Sequence, residues 1–443
     1  MPPTPKAQEI ARDFCEHEAV VDKLIYIEEI DTFAMFSEEE NYYKVYGKIK
    51  VFDRELYGHL RKQKLNVNLT TQYVKQIREI VKWETVIRIE STHSGYIGLK
   101  DGLINTKTML AEPFESDKFA FHHLPFTTEH VYSKKEPTMF VEFLRQVLVK
   151  KDTRETDEEL VVVMQEILGY MLMGSMEEVY AFFFIGDGSN GKSVLMDIMI
   201  AMIGDQFCSK LSLEQMTSKD FLTRNLVGKK ANICSEEESK YIKPDRFKAL
   251  TGGDYITADQ KFEDAVEFRS YAKMVFASNG LPMFSKIDHG IMRRVVIMPF
   301  HRKFETADKK RNLAEIIIEK ELGLIVGWAI AGARRLLRNN YQLSNSSEMR
   351  LKKLQLEQHI SSALHFIEDM CEVKDIPEDK YISGAELYGL YKNWCPKVGR
   401  KAMSIQTFGR DIAKVLGKSK LKRVDGKLQR SYNVKLKPVQ ELW

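Results

Sequence analysis

The sequence predicts an α/β fold, a core of short apolar strands and helices set between two accessory regions. Three observations predict it. Residues Ala181 to Ile200, AFFFIGDGSNGKSVLMDIMI, read as an apolar strand, a glycine-rich turn and an apolar helix beginning near Gly191. Downstream, short apolar segments recur at strand length, Lys230 to Ser235, Ala272 to Ser278 and the end of HGIMRRVVIMPF. Upstream, Leu160, Met164, Ile167, Leu168 and Met171 form one helical stripe between Asp157 and Gly174.

Length and composition bound the rest. A chain of 443 residues accommodates about three domains, and 44% hydrophobic with 29% charged residues is an ordinary globular balance. The net charge of +4 is small, but its distribution is not even. Between Lys397 and Lys437 the basic residues, among them Arg400, Lys401, Arg410, Lys414, Lys418, Lys420, Lys422, Arg423, Lys427, Arg430 and Lys435, face only Asp411 and Asp425. Such an excess is an electrostatic footprint for nucleic acid, and a solvated lysine-rich surface is the plainer alternative. The cysteines Cys15, Cys208, Cys234, Cys371 and Cys395 lie far apart without a C-x-x-C pair, which argues against a zinc ribbon or a disulfide framework and suits a reducing cytoplasm. His122 and His123 have no ligand at metal spacing and read as structural. MPPTPKAQEIARDF lacks the apolar core of a signal peptide, and Ile316 to Ala333 is broken by Glu319, Lys320 and Glu321, so no membrane span is expected.

Residues 1–110 are expected to form an α+β accessory domain. Tyr42 to Phe52 alternates like a strand, with Lys44, Lys48 and Lys50 on one face, either a lysine-guarded edge or a nucleic-acid contact; the guarded edge is preferred. Thr70 to Trp83 has helical spacing, and Tyr96 to Thr127 suggests short strands and turns. Residues 111–175 are expected to be a helical, oligomerising collar built on Met139 to Leu148 and Asp157 to Gly174. No aspartate pair of polymerase type stands out, so primer synthesis is not expected of this chain.

The core, residues 176–338, carries the chemistry. Gly186, Gly191, Lys192 and Ser193 fit G-x-x-x-x-G-K-[ST], in which backbone N–H groups from Gly186 through Asp187, Gly188, Ser189 and Asn190 curl around a phosphate. The helix N-terminus adds free N–H groups, Lys192 would neutralise the β- and γ-phosphates of ATP, and the Ser193 hydroxyl would hold Mg²⁺. A second strand, Lys230 to Ser235, ends in Glu236, Glu237 and Glu238, carboxylates able to hold Mg²⁺ through water and polarise the attacking water; Glu236 is the first choice and Glu238 the second. In Ala249 to Phe268, Gly252, Gly253 and Asp254 mark a turn before a hairpin with Lys261 and Phe262 near its tip, suited to grip a phosphate and touch a sugar or base. A third strand delivers Asn279, a candidate γ-phosphate sensor, and Arg293 and Arg294 stand at the mouth of a fourth, where one of them could reach a neighbouring subunit's nucleotide.

The order of GDGSNGKS (Gly186 to Ser193), SEEES (Ser235 to Ser239), LTGGDYIT (Leu250 to Thr257), FASNGLP (Phe276 to Pro282) and MRRVVIMPF (Met292 to Phe300) resembles superfamily 3 helicases, in the branch of phages, plasmids and poxviruses often fused to primases. The resemblance implies an AAA+-like core, with Lys192 and Ser193 as phosphate and Mg²⁺ ligands, Glu236 as the acidic catalytic residue, Asn279 as sensor, Arg293 or Arg294 as a finger acting in trans, and Lys261 on a DNA-tracking hairpin. It also implies a C-terminal winged helix within residues 339–443, from ISGAELYGLYKNWC and Ile405 to Leu416 to the basic tail, after a linker at Asn339 to Ser347. Relatives often carry a primase; none is found in residues 1–95, which leaves priming to a separate primase, polymerase or host.

The function implied is ATP-dependent unwinding of duplex DNA during replication of a phage, plasmid or other mobile element. It would be carried out by a ring, expected to be hexameric, moving 3′ to 5′ along one strand of a fork. The competing expectation is an ATP-dependent origin-binding initiator that recruits another helicase; it needs Lys192 for assembly but not Lys261 for translocation.

Overall fold

A computed structural model of the chain describes residues 6–437 apart from 19, 29–31, 40–41, 47–48, 64–67, 88–94, 115–117, 119, 175–177, 219, 238–240, 243, 261–262, 285–288, 306–310, 361, 373–380, 399–401, 418 and 425–426. The chain divides into two units, Met1–Met283 with His289–Ser346, and Phe284–Asp288 with Ser347–Trp443.

The first unit opens with helix α1 (Ala7–Cys15), strands β1 (Leu24–Ile27), β2 (Thr32–Ser37) and β3 (Tyr42–Val45), helices α2 (Ile49–Lys62) and α3 (Thr71–Thr85), and strand β4 (Val86–Ile87). The sheet runs β3-β2-β1-β4, with β1 antiparallel to β2 and parallel to β4. Strand alternation divides β1 between two cores. Leu24 and Tyr26 join Phe14, Phe52, Leu56 and Ile77 of the helices, while Ile25 and Ile27 join Ala34 and Tyr43.

The strand expected over Tyr42 to Phe52 ends at Val45, and from Ile49 the chain is helical. Ile49, Phe52, Leu56 and Leu60 recur at three- and four-residue spacing and pack into the helical core, so the 3.6 period prevails over the short alternation before it. Lys44 lies on β3 and Lys50 on α2, so these two do not share a strand face; Lys48 lies outside the described residues. β3 is an edge of its ladder. Tyr42 stacks on His123 at 4.8 Å between ring centres, and Tyr43 meets Phe121 at 5.8 Å.

Those partners belong to a second sheet, of β5 (Tyr96–Leu99), β6 (Gly102–Asn105), β7 (Ala111–Glu112) and β8 (Ala120–His123), in the order β7-β6-β5-β8. The region expected to be a helical collar therefore begins with strands, Ala111–Glu112 and Ala120–His123. His122 is buried against Phe207, and burial holds its imidazole well below the ordinary pKa, in its neutral form. Helices α4 (Thr128–Val131), α5 (Thr138–Val147) and α6 (Glu158–Leu172) follow. Asp157 caps α6 by accepting the Leu160 N–H at 3.2 Å.

Next come β9 (Ala181–Ile185), α7 (Lys192–Ile203), β10 (Cys208–Ser209), β11 (Ala231–Glu237), α8 (Pro244–Gly252), β12 (Tyr255–Gln260), β13 (Glu263–Arg269), β14 (Lys273–Ser278), α9 (His289–Arg294), β15 (Val295–Pro299) and α10 (Leu313–Arg338). Five strands form an all-parallel sheet in the order β10-β11-β14-β9-β15. Every residue of β9, β14 and β15 is buried, which explains their predominantly apolar runs. β12 and β13 pair as an antiparallel hairpin beside this sheet's sequence span.

The long helix α10 lies along α6 at a separation only glycine permits. A Cβ on Gly169 would overlap the backbone N of Ala333, and one on Gly332 the carbonyl of Gln165. Its Glu321, one of the charges that interrupt the apolar window, is buried and accepts the N–H groups of Met139 and Phe140 at 3.0 and 2.9 Å, capping α5. Among the described residues no helix is long and apolar enough to cross a membrane.

The second unit contains α11 (Ser347–Ile360), α12 (Ser362–Met370), β16 (Ile382–Ser383), α13 (Gly384–Lys397), α14 (Ile405–Leu416), β17 (Lys420–Val424) and β18 (Lys427–Tyr432). Three of its strands pair antiparallel in the order β16-β18-β17, and Cys371–Glu372 pairs antiparallel with Lys435–Leu436. Phe366, Tyr391, Trp394, Phe408, Ile412 and Tyr432 form a single core. Ser383 and Ser404 cap α13 and α14 by accepting the N–H groups of Glu386 and Thr407 at 3.2 and 3.3 Å. The basic tail is thus a β-hairpin following two capped helices.

Candidate functional site

The glycine-rich turn joins β9 to α7 at the carboxyl edge of the parallel sheet, the edge where open α/β sheets hold ligands. Three of its residues take left-handed backbone angles: Gly188 (φ 91°), Ser189 (φ 48°) and Gly191 (φ 87°). These angles curl the chain back over the end of its strand. Gly191 stands at the N-cap of α7 and Lys192 is the first helical residue. The free N–H groups of the first turn therefore point out of the loop.

Two walls hold the loop. At Gly186 a Cβ would overlap the Phe300 carbonyl and the Asn190 side chain, so only glycine lets the chain leaving β15 pass this closely. At Gly191 a Cβ would overlap Val147, with Phe143 at 3.2 Å, so the end of α5 backs the loop. On the β15 side, the N–H of Phe300 donates to Ile185 O at 2.7 Å and that of Phe304 to Ser189 O at 2.8 Å.

Inside the loop, Lys192 is buried and its ammonium donates to the Gly186 carbonyl. Burial pushes its pKa below the ordinary lysine value and the nearby Asp187 carboxylate acts the other way. Asn190 is 3% exposed and its side-chain Nδ2 has no hydrogen-bond partner, a buried donor left for an acceptor to satisfy. Asp187, Ser189 and Ser193 are exposed and Gly188 is half-buried. A left-handed loop, a lysine folded into it, an unpartnered amide and an open serine at the helix start form a donor set that fits a polyphosphate with its cation.

The strands beside β9 bring further candidates to the same edge. β14 lies next to β9 with Ser278 level with Ile185, so Asn279, which is exposed, emerges beside the loop. β11 lies beyond β14, and Glu237 is level with Ser278. Between Cys234 and Glu237 the pairing shifts register, so simple alternation does not decide which way each glutamate faces. Glu236 and Glu237 are strand residues at this edge; their side chains, and Glu238 altogether, lie outside the described residues.

Arg293 and Arg294 precede β15, whose first residue, Val295, is level with Ala181. They therefore stand at the opposite edge of the sheet from the loop, about 16 Å away at strand rise. The two arginines differ. Arg294 is 8% exposed, donates to the Gly290 carbonyl at 2.7 Å and lies against Gly252, while Arg293 is exposed.

The hairpin expected on either side of Lys261 is present, Tyr255–Gln260 pairing antiparallel with Glu263–Arg269, and Lys261 and Phe262 lie outside the described residues. In the second unit Arg410, Arg430 and Lys435 are exposed. Leu421, on the hairpin strand β17, is 68% exposed. Sequence reasoning passed over two residues that bear on the loop. Glu321 was read only as a break in an apolar window, and Arg302 lies two residues beyond the final motif; a buried-spaced acid on an apolar helix was the available signal for the first.

Comparison with known proteins adds two family matches. Residues 184–294 match a family of unknown function (DUF5906), and residues 362–441 match the family described as poxvirus D5 protein-like. A protein of Acanthamoeba polyphaga mimivirus provisionally named a helicase is 30% identical over 169 residues, 37% of this chain and 17% of its own length. One of Invertebrate iridescent virus 3, also provisionally named a helicase, is 24% identical over 270 residues, 54% of this chain and 29% of its own. The fowlpox virus protein named primase D5 is 28% identical over 157 residues, 33% of this chain and 20% of its own. The chain spans less than a third of the length of these relatives. The solved C-terminal region of NrS-1 aligns over 93% of this chain and 96% of that one, at 13% identity and a TM-score of 0.47. The chain is thus similar over residues 362–441 to the poxvirus D5 protein-like family, and over part of its length to proteins of large DNA viruses named for helicase or primase activity.

Proposed function

We propose that the chain is an ATP-dependent DNA helicase of the superfamily 3, AAA+ type, acting in the replication of a virus or mobile element. The observation that carries the reading is the convergence on one sheet edge of the Gly186–Ser193 loop, Asn279 and the glutamate-bearing end of β11. Lys192 and the loop N–H groups would hold the phosphates of ATP. Ser193 and Glu236 would hold Mg²⁺, whose charge neutralises the polyphosphate. Glu236, with Glu237 and Glu238 as the other candidates, would orient the attacking water, and Asn279 would sense the γ-phosphate.

Arg293 supports assembly around the nucleotide. It is exposed at the far edge from its own loop, out of reach of a nucleotide held there, and suited to one held by a neighbour. A closed ring of identical subunits, six by the superfamily 3 resemblance, satisfies that geometry, with Lys261 and Phe262 carrying the strand and movement 3′ to 5′. The second unit's helices and basic hairpin support a winged-helix contact with duplex DNA at a fork. A separate primase or polymerase would complete the replication machinery.

The deciding experiment is unwinding of forked duplexes of both tail polarities by wild type and Lys192→Ala, with ATP. ATP-dependent unwinding by wild type alone supports the reading. Hydrolysis without unwinding on either polarity would sink it and favour the origin-binding initiator.

A further inference from the structure

We propose that Arg302 is a second cation for the polyphosphate of a nucleotide on the loop of its own subunit, an inference that rests on the phosphate-loop reading above. The argument begins with strand register. β9 and β15 are parallel neighbours with Pro299 level with Ile185, so the segments leaving them run side by side at the same edge. Phe300 and Phe304 are both tied by backbone hydrogen bonds to that edge, at Ile185 and at Ser189. Arg302 is midway between these two anchors. Arg154 donates to the carbonyl of His301, which holds the segment from its other side.

The side chain is held against an aromatic ring. Its guanidinium carbon lies 5.4 Å from the centre of the Phe304 ring, a face that attracts a cation. Its Nε is buried with no hydrogen-bond partner, and among the described residues no carboxylate pairs with it. A half-buried guanidinium whose Nε is buried without a partner, on a segment tied at both ends to the loop edge, can take an anion with acceptor oxygens. The Asn190 amide in the same loop lacks an acceptor too, and Lys192 donates to the loop's own Gly186 carbonyl. Phosphate oxygens supply acceptors to all three. A planar fork matches them in pairs, which a lysine at this position would not.

The test is displacement of a fluorescent ATP analogue by ATP, on the full chain, for wild type, Lys192→Ala, Arg302→Ala, Arg302→Gln and Arg302→Lys, each checked for folding by circular dichroism. Arg302→Gln keeps most of the packing volume and the stacking stem without the charge, so it reports even if the alanine variant unfolds. Expected are losses of about tenfold or more in ATP affinity for Gln and Ala, with part of the loss recovered by Lys. Wild-type affinity in Arg302→Gln overturns the proposal, since only packing would then matter. Equal ATP binding by wild type and Lys192→Ala overturns the phosphate-loop reading and the proposal with it; a failure of Arg302 alone leaves Lys192→Ala defective and so is told apart.

Discussion

The carboxylate of Glu321 accepts the backbone N–H of Phe140 at 2.9 Å, joining the long helix α10 to the first turn of α5. The opposite end of α5 presents Val147 and Phe143 to Gly191 of the phosphate loop. One helix thus has a buried acid at its N-terminus and the loop at its C-terminal end. Removing that acid in Glu321→Ala strands two N–H groups and the Thr138 hydroxyl, which donates at 3.3 Å. A loss of about 2–3 kcal/mol in urea unfolding is expected, with a smaller loss in Glu321→Gln. An unfolding midpoint unchanged in Glu321→Ala would refute the capping role.

Gly169→Ala and Gly332→Ala are each expected to cost several kcal/mol, about 3 or more, because the added methyl meets backbone rather than a side chain that could move. Gly58 on α2 has nothing within 4 Å of a Cβ. Gly58→Ala should stabilise by about 0.5–1 kcal/mol through helix propensity. Thermal unfolding of the three variants side by side checks both signs at once.

Arg293→Ala and Arg294→Ala should separate function from stability. Arg294 packs inside and donates to Gly290, so its loss should lower stability by about 1–3 kcal/mol. Arg293→Ala should leave stability within about 0.5 kcal/mol and abolish ATP turnover. Mixing Arg293→Ala with Lys192→Ala subunits should restore part of the turnover, because one shared interface then has both groups intact. Absence of recovery at every ratio would count against action in trans.

Lys273 begins β14 and is 4% exposed, with its ammonium 4.3 Å from the centre of the Tyr170 ring. Burial pushes its pKa down to about 7 from an ordinary 10.5. Between those values the unfolded chain binds the proton and the folded one does not, so this group makes stability rise with pH from about 7 to 10.5 and leaves it flat below. The slope is about 1.4 kcal/mol per pH unit at most. Lys230, pushed down to about 8 by burial, acts in the same direction. Urea midpoints should therefore climb from pH 7 to 9 in wild type and climb less in Lys273→Met. An equal climb in both would exclude Lys273 as a source.

Strands β9, β14 and β15 were readable because each is buried on both faces and carries a mostly apolar run, while β10, two residues long, leaves no such run. Asp157 was readable as a helix start because a capping side chain needs only its own next few residues. The helix Ile49–Lys62 was misread because a strand and a helix meet within one apolar stretch, and periods of two and 3.6 agree over so few residues. The choice between Arg293 and Arg294 depends on what Arg294 touches, Gly290 and the Gly252 turn, and contact between distant segments leaves no trace in spacing. The glutamate at the end of β11 stays a choice among three for a related reason: a shift in pairing breaks the alternation on which sidedness relies.

The wall that Phe300 and Phe304 build beside the loop has a consequence for how the chain is made. Synthesis delivers β9 and the loop early and β15 only after the intervening strands and hairpin, so the loop emerges from the ribosome with one side bare. Until Phe304 arrives, the Ser189 carbonyl has no N–H to accept and Gly186 has no neighbour filling its open face. A nascent chain stalled before residue 300 should therefore leave its loop open to protease, and one released beyond residue 304 should close it.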